Sequence, residues 1–184
     1  VLYNTKSAAS TPAASAMTWS LLIPDTNNPL NGLSGDTSLA VAGDVTVNLG
    51  GYVLVAGGFD VTKTTKTAVT LGTGDTPDID LLTISLTGVD LFVGRGGTFD
   101  TSVAGSYSVA TTGATGFSVD NANLYLALAS TTAVADTRSW TGIAASADSM
   151  SVVGLPTDFT LAVANLRVLY NTKSAASTPA ASAM

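Results

Sequence analysis

All thirteen acids of the 184-residue chain are Asp, and Glu, Gln, His and Cys are absent. That removes imidazole acid–base catalysis, thiol nucleophiles, the Ser-His-Asp triad and ordinary zinc ligation. The chemistry left to the carboxylates is binding a hard cation. Asp75, Asp78 and Asp80 stand together in GDTPDID, and Asp25, Asn27 and Asp36 lie in PDTNNPLNGLSGD. Calcium takes about six to eight oxygens from such Asp, Asn and carbonyl groups. Neither segment matches the EF-hand or the Gly-Gly-x-Gly-x-Asp pattern, so plain Asp/Asn turns compete with a calcium reading. No cofactor other than calcium is expected. Glycoside cleavage would need two carboxylates in a cleft with aromatic platforms, but only 7% of the chain is aromatic.

Other candidates are weaker. Gly94, Arg95, Gly96 and Gly97 lack nucleotide-loop spacing and read as a tight turn. Lys6, Lys63 and Lys66 sit among hydroxyls, where a Ser–Lys pair is formally possible, but they read as solvated edge positions. Thr62, Thr64, Thr65 and Thr67 could form a flat hydroxyl surface, yet the pattern does not recur. Seven Lys plus Arg, unclustered against a net charge of −6, argue against nucleic acid as a partner. No apolar run approaches the roughly 18 residues of a spanning helix. The expectation is a protein that is not an enzyme.

The elements that would position these groups are strands. Good helix formers are scarce while Thr, Val, Gly and Ser abound, so the chain reads as all-β. Apolar residues alternate with polar ones over long stretches, the mark of a strand with one buried face. Leu39, Val41, Val45, Val47, Leu49, Val53, Val55, Phe59 and Val61 all carry odd numbers, with Gly50, Gly51, Gly57 and Gly58 as bends or bulges.

Residues 1–17 read VLYNTKSAASTPAASAM, and residues 168–184 read the same, an offset of 167. The second copy begins inside the alternating segment FTLAVANLRVLY (residues 159–170), which a terminal tag would not do. We therefore read 1–167 as one full unit of a tandem array and 168–184 as the start of the next identical unit. The opening Val-Leu-Tyr-Asn has no signal-peptide character and fits an excerpt from a longer chain. Val1, Leu2 and Tyr3 at one end, and Leu166, Val168 and Tyr170 at the other, are the expected inter-unit junction.

Within the unit, Asp44, Asp90, Asn123 and Asn165 each precede aliphatics at the first and third following positions. Their spacings of 46, 33, 42 and, across the repeat boundary, 46 divide the unit into four quarters of about 42 residues. These Asx residues are expected as structural corners, since a short polar side chain can bond its own backbone and tolerate a bulge. Each quarter carries a second alternating run upstream, at residues 19–23, 52–61, 99–109 and 140–153. The architecture expected is a solenoid-like or continuous β-rod, with tandem β-sandwich domains as the alternative.

The segments GYVLVAGGFDVTK (51–63), LLTISLTGVDLFVGRGG (81–97), TGFSVDNANLYLALAS (115–130) and TRSWTGIAASADSMSVVGL (137–155) resemble the long β-strand repeats of giant bacterial surface and extracellular proteins. The resemblance covers about three-quarters of the unit. It implies an adhesin- or matrix-type protein outside the cell and no active-site residues. Arg95 departs from it, standing where a small or apolar residue would be expected, and is a candidate contact between units. The function expected is a structural repeat of an extracellular bacterial filament or giant cell-surface protein, whose partner is itself. The rival is an adhesin repeat that grips carbohydrate or another cell, stabilised by calcium.

Overall fold

A computed structural model of the chain describes residues 1–6, 16–72, 74–156, 158–174 and 177–179. The parts of the two 17-residue copies at 7–15, 175–176 and 180–184 therefore lie outside the described residues. The chain is all-β. Among the described residues nine strands run in order: β1 (Leu2–Tyr3), β2 (Thr37–Leu49), β3 (Val53–Lys66), β4 (Ile79–Arg95), β5 (Thr98–Asp100), β6 (Ser108–Ala110), β7 (Thr115–Thr131), β8 (Ser139–Val153) and β9 (Ala162–Lys173). A four-residue helix, α1 (Trp19–Leu22), and a 3-10 turn (Pro29–Gly32) lie between β1 and β2. No helix among the described residues is long and apolar enough to cross a membrane.

Seven strands form one sheet in the order β1-β2-β3-β4-β7-β8-β9, and every pair is antiparallel. The sequence leaves strand direction open, and the connections decide it. Only residues 50–52 link β2 to β3, whereas a parallel crossover needs about a dozen residues. Gly50 and Gly51, at φ 63° and 76°, close that hairpin. Leu49 then faces Val53, and odd residues pair with odd ones as far as Leu39 and Lys63. This is why the apolar set from Leu39 to Val61 keeps one parity across a reversal of the chain.

Two readings change. Residues 19–22 of the alternating run expected at 19–23 form α1, because period-2 alternation over five residues cannot separate a strand from one helical turn. The run at 99–109 is interrupted, with β5 and β6 pairing as a separate two-stranded arm.

The two faces of the large sheet differ. One face is covered near both ends of the strands. At one end Val69 and Leu71, from the loop after β3, pack with Ile79, Leu81, Ala129 and Trp140. At the other end Phe99 and Val109 from the β5–β6 arm pack with Leu54, Phe92, Ala114 and Val153, and Phe92 is wholly buried. The opposite face is apolar from strand to strand. One row of directly paired residues reads Val41, Val61, Ile84, Leu126, Ile143, Tyr170, and the next Phe59, Leu86, Leu124, Ala145, Val168. Among the described residues no second layer of strands lies over this open face.

A line of irregularities crosses the middle of the sheet. Gly88, Asn121 and Asn165 have φ of 58°, 50° and 55°. Such a residue slips the alternation by one, as a bulge does. In β4 the open-face residues change from Leu82, Ile84 and Leu86 to Val89 and Leu91, and β7 makes the corresponding change between Val119 and Ala122. Three of the Asx residues also have apolar residues six and four positions earlier, Ile84 and Leu86 before Asp90, Phe117 and Val119 before Asn123, and Phe159 and Leu161 before Asn165, a spacing that encodes this phase change.

Candidate interaction surface

The two copies of the repeated segment occupy opposite edges of the same sheet. In the first, β1 pairs with β2, Leu2 opposite Ala40 and Tyr3 opposite Leu39. In the second, the corresponding Leu169 and Tyr170 lie in β9, opposite Ala144 and Ile143 of β8. Val1, Leu2 and Tyr3 are thus gathered at one edge, and Leu166, Val168 and Tyr170 at the other.

The first copy is held by the segment on its C-terminal side. Asn4 is 3% exposed, and its side-chain amide donates to the Met17 carbonyl at 2.9 Å and the Ser34 carbonyl at 3.3 Å. Its Oδ1 accepts from Trp19 Nε1 at 3.2 Å. Both amide hydrogens and the carbonyl are matched, the condition for burying such a group. Leu2 lies against the 3-10 turn, where a Cβ on Gly32 would meet its Cδ1 at 3.3 Å. In the second copy every residue of β9 is exposed, including Leu169 at 65% and Tyr170 at 55%.

The residues singled out for calcium are spread over separate contacts. Asp25 accepts from the Asn27 N–H at 2.9 Å, closing a local turn. Asp36 pairs with Lys66 and takes the Ser34 hydroxyl, and together these hold its carboxyl below the ordinary value. Asp75 pairs with Arg138 at 2.6 Å. Asp78 accepts from the Ala68 N–H at 2.9 Å, and Asp80 from the Thr65 hydroxyl at 2.7 Å. Among the described residues no three acids converge on a point that could hold a metal ion.

The four Asx residues each stand inside a continuous strand. Asp90 accepts from the Asn121 N–H at 2.9 Å and the Val109 N–H at 3.1 Å, tying β4 to β7 and to the β5–β6 arm. Asn123 accepts from the Gly88 N–H at 3.1 Å. These two are brought to one bulge. Asp44, opposite Gly58, and Asn165 lie far apart, on β2 and β9 at opposite sides of the sheet.

Arg138 escaped notice in the sequence. It is 4% exposed and bridges Asp75 and Asp136. The guanidinium holds the Asp136 carboxyl down at about 2 and is itself shifted upward. Asp75 lies some sixty residues away in the chain, so no local pattern announces this pair. Arg95, the departure from the surface-repeat pattern, lies with its guanidinium 5.5 Å from the Tyr52 ring centre, within cation–π range.

Comparison with family models, curated proteins and solved structures finds no match.

Proposed function

We propose that this chain is a structural repeat of an extracellular bacterial filament or giant surface protein, and that its principal partner is its own next copy. The observation that carries the reading is that one repeated segment forms both edges of a single long sheet. An enzyme has no use for that arrangement, whereas a polymer needs two complementary ends. A rod of continuous β-structure is the architecture this implies.

The open face supports the same reading. A compact monomer of 18.4 kDa would expose about 8,200 Å². This chain exposes 11101 Å², an excess of about 2,900 Å² per chain; two copies would cover about 5,800 Å² in all, at the upper end of obligate homodimer interfaces. A second copy laid face to face, at the usual sheet spacing of about 10 Å, would bury the aliphatic rows that no other layer covers. Each 167-residue unit holds thirteen Asp against six Lys plus Arg, and the resulting −7 per unit accumulates along such a rod and limits lateral clumping at low salt.

The test is assembly of the 184-residue chain, followed by sedimentation and electron microscopy as concentration rises. Uniform unbranched fibres are expected, forming more readily in salt. A chain that stays monomeric at millimolar concentration in salt would overturn the proposal.

A further inference from the structure

We infer that β9 of one unit is also β1 of the next, so that successive units share a strand and form one uninterrupted antiparallel sheet. This rests on the array reading above and specifies its joint. Three features of the two copies have to agree for one strand to serve both neighbours, and all three do.

The first is the direction of the backbone groups. Along an antiparallel strand, alternate residues turn their N–H and C=O to opposite neighbours. The Asn4 N–H donates to the Ser38 carbonyl at 2.9 Å, so Leu2 and Asn4 are the residues that face β2. In β9 the Ser174 N–H donates to the Ser139 carbonyl at 2.8 Å, so Tyr170 and Thr172 face β8. The repeat offset of 167 is odd, which makes Leu169 and Asn171 the counterparts of Leu2 and Asn4. Both stand in the phase whose backbone groups point away from β8, toward the side a following β2 would occupy. One copy uses one half of the strand's hydrogen-bonding capacity, and the other copy uses the complementary half.

The second is the side-chain face. Tyr3 stands opposite Leu39 and shares its open face, while Tyr170 stands opposite Ile143 on that same face. Superposing the copies therefore carries the apolar face unbroken from unit to unit. The third is polarity. Six antiparallel pairings lead from β1 to β9 across the sheet, an even number, so both strands run in the same direction.

The joint has a defined register. Leu169 falls opposite the next unit's Ala40 and Tyr170 opposite its Leu39, as Leu2 and Tyr3 do here. Counting back along both strands, Val168 meets Val41, and Asn165 comes level with Asp44. The two Asx residues that lie on opposite sides of one unit thus meet at the boundary. The next unit's copy of Trp19 would close over Asn171 as Trp19 closes over Asn4.

Amide hydrogen exchange on a chain in which residues 1–167 precede the full 184-residue sequence tests the joint. At the internal copy the Arg167 and Leu169 amides should exchange at least about a hundredfold more slowly than the same amides at the terminal copy. Tyr170 and Thr172 should be protected at both. Leu169→Pro at the internal copy removes a donor that faces the next unit's β2 and none that faces β8. It should return Arg167 to the rate of the terminal copy. Equal exchange of internal and terminal Arg167 and Leu169 would overturn the shared strand, as would unchanged Arg167 protection in the proline variant. Fibres without internal protection would leave the filament reading standing and remove this joint, whereas protection without fibres would do the reverse.

Discussion

The chain carries one 17-residue sequence twice, and the two copies end in different surroundings. In the first, Asn4 is buried and all its hydrogen-bonding groups are matched. In the second, Asn171 is exposed along with the rest of β9. Local sequence cannot cause the difference, because it is the same. The first copy has its C-terminal neighbours, Trp19 and the 3-10 turn, but only two residues of strand. The second has the residues that precede it and stands in a strand of twelve. Each copy holds half of an environment.

The largest effect expected on this contrast comes from Trp140, which is 4% exposed and lies opposite Lys173 of the second copy. Trp140→Ala should destabilise the chain by about 3–5 kcal/mol, measured by denaturant unfolding, and should free β9 before β1. Next comes the matched pair of amides. Asn4→Ala leaves the Trp19 indole N–H and two carbonyls without their partner and should cost about 2–3 kcal/mol. Asn171→Ala should cost less than about 0.5 kcal/mol. Equal costs would mean that the two copies are not in different environments.

Acid should act on the second copy below pH 4. Asp136 is held at about 2 by Arg138, below its unfolded value, so the stability it contributes is complete above pH 4 and lost as pH falls through about 2. The neighbouring Thr137 exchanges two hydrogen bonds of 3.0 Å with Thr178 of the second copy. The melting temperature should therefore hold from pH 7 to 4 and fall below that, and Asp136→Asn should flatten the fall. Another small effect belongs to the Lys66–Asp36 pair beside the first copy, which is half exposed on the lysine side. Lys66→Met should change stability by less than about 1 kcal/mol, with a difference that shrinks in high salt.

Much of the sheet was legible because alternation reports directly on a face. The single parity from Leu39 to Val61 comes from the Gly50–Gly51 hairpin, and the run at 140–153 is nearly all of β8. The Asx pattern was visible too. Its meaning was not, because a slip in phase looks in one dimension like a turn of the chain. The left-handed residue is not always the Asx itself: it is Gly88 for Asp90, Asn121 for Asn123, and Asn165 in its own right. Non-local partners were hidden altogether. Nothing near Trp19 tells that its indole reaches Asn4, and nothing near Arg138 points to Asp75. The acids of the two loops looked like a cation site by proximity in sequence, but Lys66, Arg138, Thr65 and backbone amides each take one of them.

The shared strand makes one quantitative demand on the assembled material. Six strands per unit at about 4.8 Å each give an axial rise of about 29 Å per 167-residue repeat. Helical reconstruction of the fibres by electron cryo-microscopy measures that rise directly. A repeat near 29 Å, with strands lying across the fibre axis and no gap in the 4.8 Å ladder, is the predicted result. A markedly longer repeat with a break in the ladder between β9 and the next unit's β2 would contradict it, and would make each unit a separate sheet tethered to the next.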